Sequence, residues 1–319
     1  MENSSQIASF TMAAYGEIGG VRYLYFMIVL LSYLVIIIAN VFLIVVIYME
    51  RSLHEPMYYF LCSLAINALY GSSGLFPSVL QNLLSDIHEI SWTHCLLQTF
   101  CLHTYVFSEF TNLAVMGYDR YVSICYPLQY HKIMSPSRVN KLIVLTWVVP
   151  FCCFTAIMVM TTQQQICGKI IEKVYCTNYA ILSLACRDIT TFNIIGGVSV
   201  IIYIFPLVVL IFYSYSRILR ICFKSSKEAT AKALNTCCSH LITLVNFSLG
   251  CFFEVIQSRF NLSHIPSSIQ IILSVYFLTC PPLLNPIIYG VRSKTIRMRI
   301  KKMVYHRIRD VRHFENTFK

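Results

Sequence analysis

Charge is what this chain has least of. Only 12% of its 319 residues are Asp, Glu, Lys or Arg, while 57% are hydrophobic; an ordinary soluble domain carries roughly a quarter charged residues. Acids are scarcer than bases, 14 against 25, for a net charge of +11. Metal and catalytic signatures are missing too. The 14 cysteines form no CxxC pair, no Cys/His spacing of a zinc site occurs, and the nine histidines are scattered. Neither HExxH nor GxSxG is present, so a membrane enzyme lacks a converging catalytic set, and no metal or cofactor is implied. The short alternating segments of an outer-membrane barrel are absent. So are low-complexity tracts and the matching broken helices of a transporter's two halves.

What is present is apolar length. A membrane-spanning helix needs about 20 mostly apolar residues, and seven stretches qualify: Tyr23 to Met49, Met57 to Leu84, Cys95 to Ile124, Leu142 to Thr161, Ile194 to Tyr215, Thr236 to Gln257 and Ser268 to Val291. The expected fold is an all-α membrane protein, a seven-helix transmembrane bundle spanning 23–291 between an amino-terminal segment, 1–22, and a tail, 292–319. The second span is interrupted by Asn67, Gly71, Ser72, Ser73, Gly74 and Pro77. It is tolerable only if neighbouring helices re-satisfy its loosened backbone. No lysine lies in the seventh span, which excludes a retinal Schiff base and with it an opsin or light-driven pump.

The basic residues give an orientation. One side of the seven spans carries Arg22, Lys169, Lys173, Arg187 and Arg259; the other carries the remaining twenty of 25. Positive charge stays cytoplasmic, so the amino terminus is expected outside and the net charge reports topology rather than nucleic-acid binding. No separate signal peptide is visible in residues 1–22; the first span serves as its own insertion signal. Asn3-Ser4-Ser5 then reads as a glycosylation acceptor. Four cysteines fall on the outer side, Cys95, Cys167, Cys176 and Cys186. An even number in an oxidising compartment points to two bridges, with three connectivities open. In the tail, Arg297, Arg299, Lys301, Lys302, Arg307 and Arg309 interleave with Ile296, Ile300, Met303, Val304 and Ile308. That pattern suits a basic amphipathic helix on anionic membrane lipid, or a plain topology anchor.

The third span ends in Met116-Gly117-Tyr118-Asp119-Arg120-Tyr121-Val122-Ser123-Ile124-Cys125. An ion pair is costly in hydrocarbon, so Asp119 and Arg120 belong where that helix meets cytoplasmic water. This stretch resembles the span-three signature of odorant receptors, a branch of the rhodopsin-like G-protein-coupled receptors. Four further motifs resemble the same family in order: Leu53 to Phe60 at the start of span two, Ser214-Tyr215-Ser216-Arg217-Ile218 ending span five, Lys232 to Leu241 opening span six, and Pro281-Pro282-Leu283-Leu284-Asn285-Pro286-Ile287-Ile288-Tyr289 leaving span seven. Lys173-Val174-Tyr175-Cys176 and Gln257-Ser258-Arg259-Phe260 look most like fish-type members. Two positions depart from the pattern. Ala68 stands where many relatives carry an Asp, and Ser248 where an aromatic is common. A conventional sodium site and a conventional aromatic switch are thereby in doubt.

The resemblance implies a plasma-membrane receptor that binds a small odorant and activates a heterotrimeric G protein of the stimulatory, olfactory type. The alternative is a non-sensory rhodopsin-like receptor for another small ligand. It implies the pairings Cys95–Cys176 and Cys167–Cys186. It also implies an inner switch of Asp119, Arg120, Tyr121, Tyr215, Lys232, Asn285, Pro286 and Tyr289, with Arg120 released from Asp119 to meet the G protein. Helical spacing proposes a pocket, since residues four apart share a face: His103 with Phe107, Ser199 with Tyr203, Cys251 with Val255 and Arg259, and Ser274 with Leu278. Glu109, about 15 Å deeper than Asp119 along the helix, holds a cation or a proton, or is neutral and hydrogen-bonded; the last reading is favoured. Glu254, nearer the end of span six, is expected to be solvated at the interface. Arg259 can hold a carboxylate by two parallel hydrogen bonds, pointing to an acidic or zwitterionic ligand. Its alternatives are lipid phosphates, Glu254 or a loop carboxylate.

Overall fold

The computed structural model describes residues 8–16, 19–259, 267–292 and 296–299. Seven long helices carry the chain: α1 (Arg22–Met49), α2 (Pro56–Leu84), α3 (Trp92–Cys125), α4 (Pro136–Thr162), α5 (Thr190–Cys222), α6 (Lys227–Arg259) and α7 (Ser267–Arg292). Local chemistry sets several starts. Pro56 and Pro136 open α2 and α4, where a missing N–H costs nothing. The Ser91 hydroxyl accepts the His94 N–H at the head of α3. Asn3 and most of the tail lie outside the described residues. Of the tail, Ile296 is buried and Arg299 pairs with Glu50 at 3.5 Å.

Among the described residues, five helices are long and apolar enough to cross a membrane by themselves: Gly19–Met49, Pro56–Leu84, Pro136–Thr162, Thr190–Cys222 and Cys237–Gln257. In α1 and α5 many apolar residues point outward, Ile38 and Ile202 being about two-thirds exposed. Helix α3 is less apolar because it is the axis of the bundle, packed against α2, α4, α5 and α6. It buries Ser108, Glu109, Asn112 and Asp119. The glycines that interrupt the second span lie on its contact with α3. A Cβ at Gly71 would come within 2.5 Å of the Tyr105 ring, and one at Gly74 within 2.8 Å of the Cys101 Cβ.

Prolines in α7 free carbonyls that other helices then occupy. Pro286 cannot donate to the Pro282 carbonyl one turn back, and Asn40 of α1 donates to it instead at 2.9 Å. Pro281 likewise frees the Phe277 carbonyl, which accepts the Tyr105 hydroxyl at 3.3 Å. Asn40→Leu leaves a buried carbonyl unpaired, so about 1–3 kcal/mol of stability is lost; a thermal melt of the purified protein should fall accordingly, with α7 the first helix to lose amide-exchange protection.

The end of the bundle opposite Asp119 is closed by a small sheet. Strand β1 (Ser9–Met12) lies between β2 (Glu89–Ser91), antiparallel with Phe10 opposite Ile90, and β3 (Ile170–Ile171), parallel with Met12 beside Ile171. Phe10, Met12 and Tyr15 are buried, and the Tyr15 hydroxyl donates to the Val174 carbonyl at 2.7 Å. Both cysteine pairs are bridged here, Cys95–Cys176 and Cys167–Cys186. The first ties the loop between α4 and α5 to the head of α3, and the second closes that loop on itself.

Candidate functional site

Beneath this loop lies a cavity of about 450 Å³, within the range of small-molecule sites. Its walls come from α3 (Leu102, His103, Val106, Phe107, Phe110), α4 (Phe154, Ile157), α5 (Phe192, Asn193, Gly196, Gly197, Val200, Ile204), α6 (Cys251, Glu254, Val255) and Phe277 of α7. Tyr175, Thr177, Asn178, Tyr179 and Leu182 of the loop also line it. His103 stacks on Phe154 with ring centroids 4.5 Å apart. Its Nδ1 lies 2.8 Å from the Thr99 carbonyl, an acceptor only, so Nδ1 carries the proton and Nε2 of the neutral ring is an acceptor.

Four of the nine pocket residues read from helical spacing line this cavity: His103, Phe107, Cys251 and Val255. Ser199, Tyr203 and Leu278 do not. The cavity face of α5 is Gly196, Val200 and Ile204, one residue round the helix from Ser199 and Tyr203, a rotation of roughly 100°. The Ser199 hydroxyl turns back to the Ile195 carbonyl at 2.7 Å, and the Tyr203 hydroxyl sits 2.5 Å from Thr111 Oγ1. Leu278 is fully buried in the bundle core, while its neighbour Phe277 lines the cavity. The side chains of Arg259 and Ser274 lie outside the described residues, as does that of Lys232.

Glu254 corrects an expectation. It is not solvated at an interface: it lines the cavity, its side chain is mostly buried, and it forms an ion pair with Lys173 of the loop. Sequence reading missed it because its partner is 81 residues away. Only the acid's position near the helix end was visible, and that position says nothing of what covers it.

Glu109 sits in the middle of the bundle, fully buried. One carboxyl oxygen accepts from Asn67 at 2.8 Å and the other from Asn285 at 3.1 Å. Amides of α2 and α7 thus engage both of its carboxyl oxygens. Asn67 precedes Ala68, so the polar group on this turn of α2 has moved by one residue. A similar offset occurs on α6. Ser248 is polar, but Phe247 beside it is fully buried and packs edge-on to Tyr105 and Phe110 of α3 at 6.0 and 4.9 Å.

At the far end of α3, Asp119 is fully buried and each of its oxygens is engaged. Arg120 donates to one at 2.5 Å and the Tyr130 hydroxyl to the other at 2.8 Å. His240 of α6 locks the neighbouring helices: its Nε2 donates to the Leu113 carbonyl at 2.8 Å, so its Nδ1 accepts from the Tyr215 hydroxyl at 2.6 Å. One side chain thus ties α3, α5 and α6 together. Tyr121 packs edge-on to Tyr126 and Tyr213, and Tyr289 and Asn285 are buried in α7. Tyr130 and His240 were absent from the sequence-derived switch. Their signals were an aromatic eleven residues beyond Asp119 and, for His240, a place within the Lys232 to Leu241 motif.

A family model described as "Olfactory receptor" matches residues 29–307. Among curated proteins, human Olfactory receptor 52B2 is 36% identical over 285 residues, 88% of this chain and 86% of its own length. Human Olfactory receptor 52D1 is 36% identical over 276 residues, 86% of each chain. Human Olfactory receptor 6B2 is 30% identical over 303 residues, covering 94% of this chain and 96% of its own.

Proposed function

The chain belongs to the olfactory receptor family, multi-pass plasma-membrane G-protein-coupled receptors rather than enzymes, and we propose that it binds its odorant in the cavity beneath the loop between α4 and α5. The largely apolar cavity carries this reading, because it is the right size for a small molecule and has few polar groups to fix orientation. The disulfide end, with the amino terminus, faces outward and residues 292–319 face the cytoplasm, a reading that the distribution of basic residues supports. Asp119, Arg120, Tyr121, Tyr215, Lys232, Asn285, Pro286 and Tyr289 form the cytoplasmic switch. The G protein is of the stimulatory, olfactory type. The phrases around Lys173 and Arg259 support a fish-type member. A ligand screen on cells co-expressing an olfactory-type G protein tests the whole reading; Val106→Trp, which puts an indole into the cavity from α3, should abolish every response found.

The odorant in this reading is a small acid or zwitterion whose carboxylate meets Arg259, one turn beyond the cavity-lining Val255 on the same face of α6. A charge-assisted bond of that kind contributes roughly 1.5–3 kcal/mol. Arg259→Ala should then lower the potency of acidic agonists by about 10- to 100-fold at unchanged surface expression. Unchanged potency makes Arg259 an interface anchor and turns the search to neutral odorants.

A further inference from the structure

We propose that Glu254 is an ammonium-binding site in the roof of the cavity, occupied in this structure by the chain's own Lys173, so that the ligand carries a protonated amine. The inference rests on the cavity being the ligand site. Within the ligand class given above it selects the zwitterion over the simple acid.

Three observations carry it. Among the described lining residues Glu254 is the one formal charge, and it is negative. Its side chain is only 14% exposed, so the carboxylate meets an ammonium with little water between them. An ammonium already sits there: the Lys173 Nζ pairs with the carboxylate and lies 6.0 Å from the centroid of the Tyr175 ring. Carboxylate, tyrosine hydroxyl and aromatic face are what a primary amine needs as counter-ion, acceptor and π surface. Lys173 reaches the site from the loop, while the side chains beneath Glu254 in the cavity are apolar or aromatic, Cys251 and Phe277 among them. The outer part of α3 offers no acid to an amine, with Leu102 and His103 there. The structure supplies the acid from α6 instead.

Because Lys173 competes with the ligand for one carboxylate, the two partners have opposite expected effects. The probes are hexylamine and phenethylamine, each against its matched alcohol and carboxylic acid. The readouts are the thermal stability of the purified full-length receptor and cell signalling. Both amines should raise the melting temperature more than the matched alcohols do. Glu254→Gln should weaken the response to amines by about 10- to 100-fold while leaving the alcohols within a few-fold. Lys173→Gln, which removes the competitor, should make amines more potent. The exchanged pair Lys173→Glu with Glu254→Lys keeps an ion pair between loop and α6, yet should turn the preference from amines to acids.

Amines that stabilise no better than their alcohols overturn the proposal. So does a parallel loss of all responses in Glu254→Gln and Lys173→Gln that the exchanged pair restores, since that marks the pair as a structural latch only. Val106→Trp separates this from the underlying reading. Agonists that survive it remove the cavity as the ligand site, whereas agonists lost to it but indifferent to Glu254→Gln remove the ammonium site alone.

Discussion

Arg120→Ala abolishes agonist-stimulated nucleotide exchange while surface expression and ligand binding stay largely intact. The expectation follows from how the pair is built. Asp119 is fully buried and holds Arg120 at 2.5 Å, so in this arrangement the guanidinium is turned to its own helix rather than to a partner protein. Removing Arg120 takes away the group that docks. The Tyr130 hydroxyl, 2.8 Å from the other carboxylate oxygen, still satisfies Asp119, which limits the cost of leaving a buried charge without its counter-ion. Asp119→Asn keeps the shape but removes the charge that restrains Arg120, and basal signalling should rise. Tyr130→Phe should raise it less, because one of two restraints on the carboxylate remains. Normal exchange in Arg120→Ala removes the mechanism, and a basal level that falls in Asp119→Asn reverses its sign.

Cys95→Ser costs the receptor most of its folded population. In a chain-entropy account, a bridge between residues 81 apart restrains the unfolded chain by about 4.5 kcal/mol, and one between residues 19 apart by about 3 kcal/mol. Net stabilities of 5–15 kcal/mol are usual, so the first loss is the graver. It also releases the cavity roof, since Cys176 is fully buried between Tyr175 and Thr177, which both line the cavity. Gln98 supplies a partial substitute: its Oε1 accepts the Cys176 N–H at 2.8 Å while its Nε2 reaches the Gly74 carbonyl at 3.2 Å. Cys167→Ser should therefore reach the cell surface at reduced level with weaker ligand response, whereas Cys95→Ser is retained inside the cell. Surface staining alongside total protein distinguishes the two, and equal surface levels of both variants would contradict the ranking.

Much of the bundle is legible from apolar length alone. The sum of side-chain transfer energies over about 20 residues is a local property, so seven spans could be placed to within a few residues at most of their ends. The same holds for the Asp119-Arg120 pair at the end of α3. What periodicity could not supply was the rotation of each helix about its axis. Ser199 and Tyr203 were assigned to a face that Gly196, Val200 and Ile204 hold, and Leu278 to a position that Phe277 holds. In an all-apolar helix facing lipid on one side and protein on the other, no polar stripe marks which is which.

The residues by themselves determined the helix count, the placement of most basic residues on one side, and the motifs at the helix ends, because each depends on a short window of sequence. Tertiary structure alone decided the contacts between distant windows. Asn40 meets the carbonyl freed by Pro286 across 242 residues, Glu109 takes its two amides from α2 and α7, and Lys173 meets Glu254 across 81. Ser9–Met12 became a strand although its own residues are few and mixed, because two other segments offered free backbone edges beside it. In each case a buried polar group must be satisfied by whatever packing brings within about 3 Å, and proximity in space is what a linear reading of spans cannot contain.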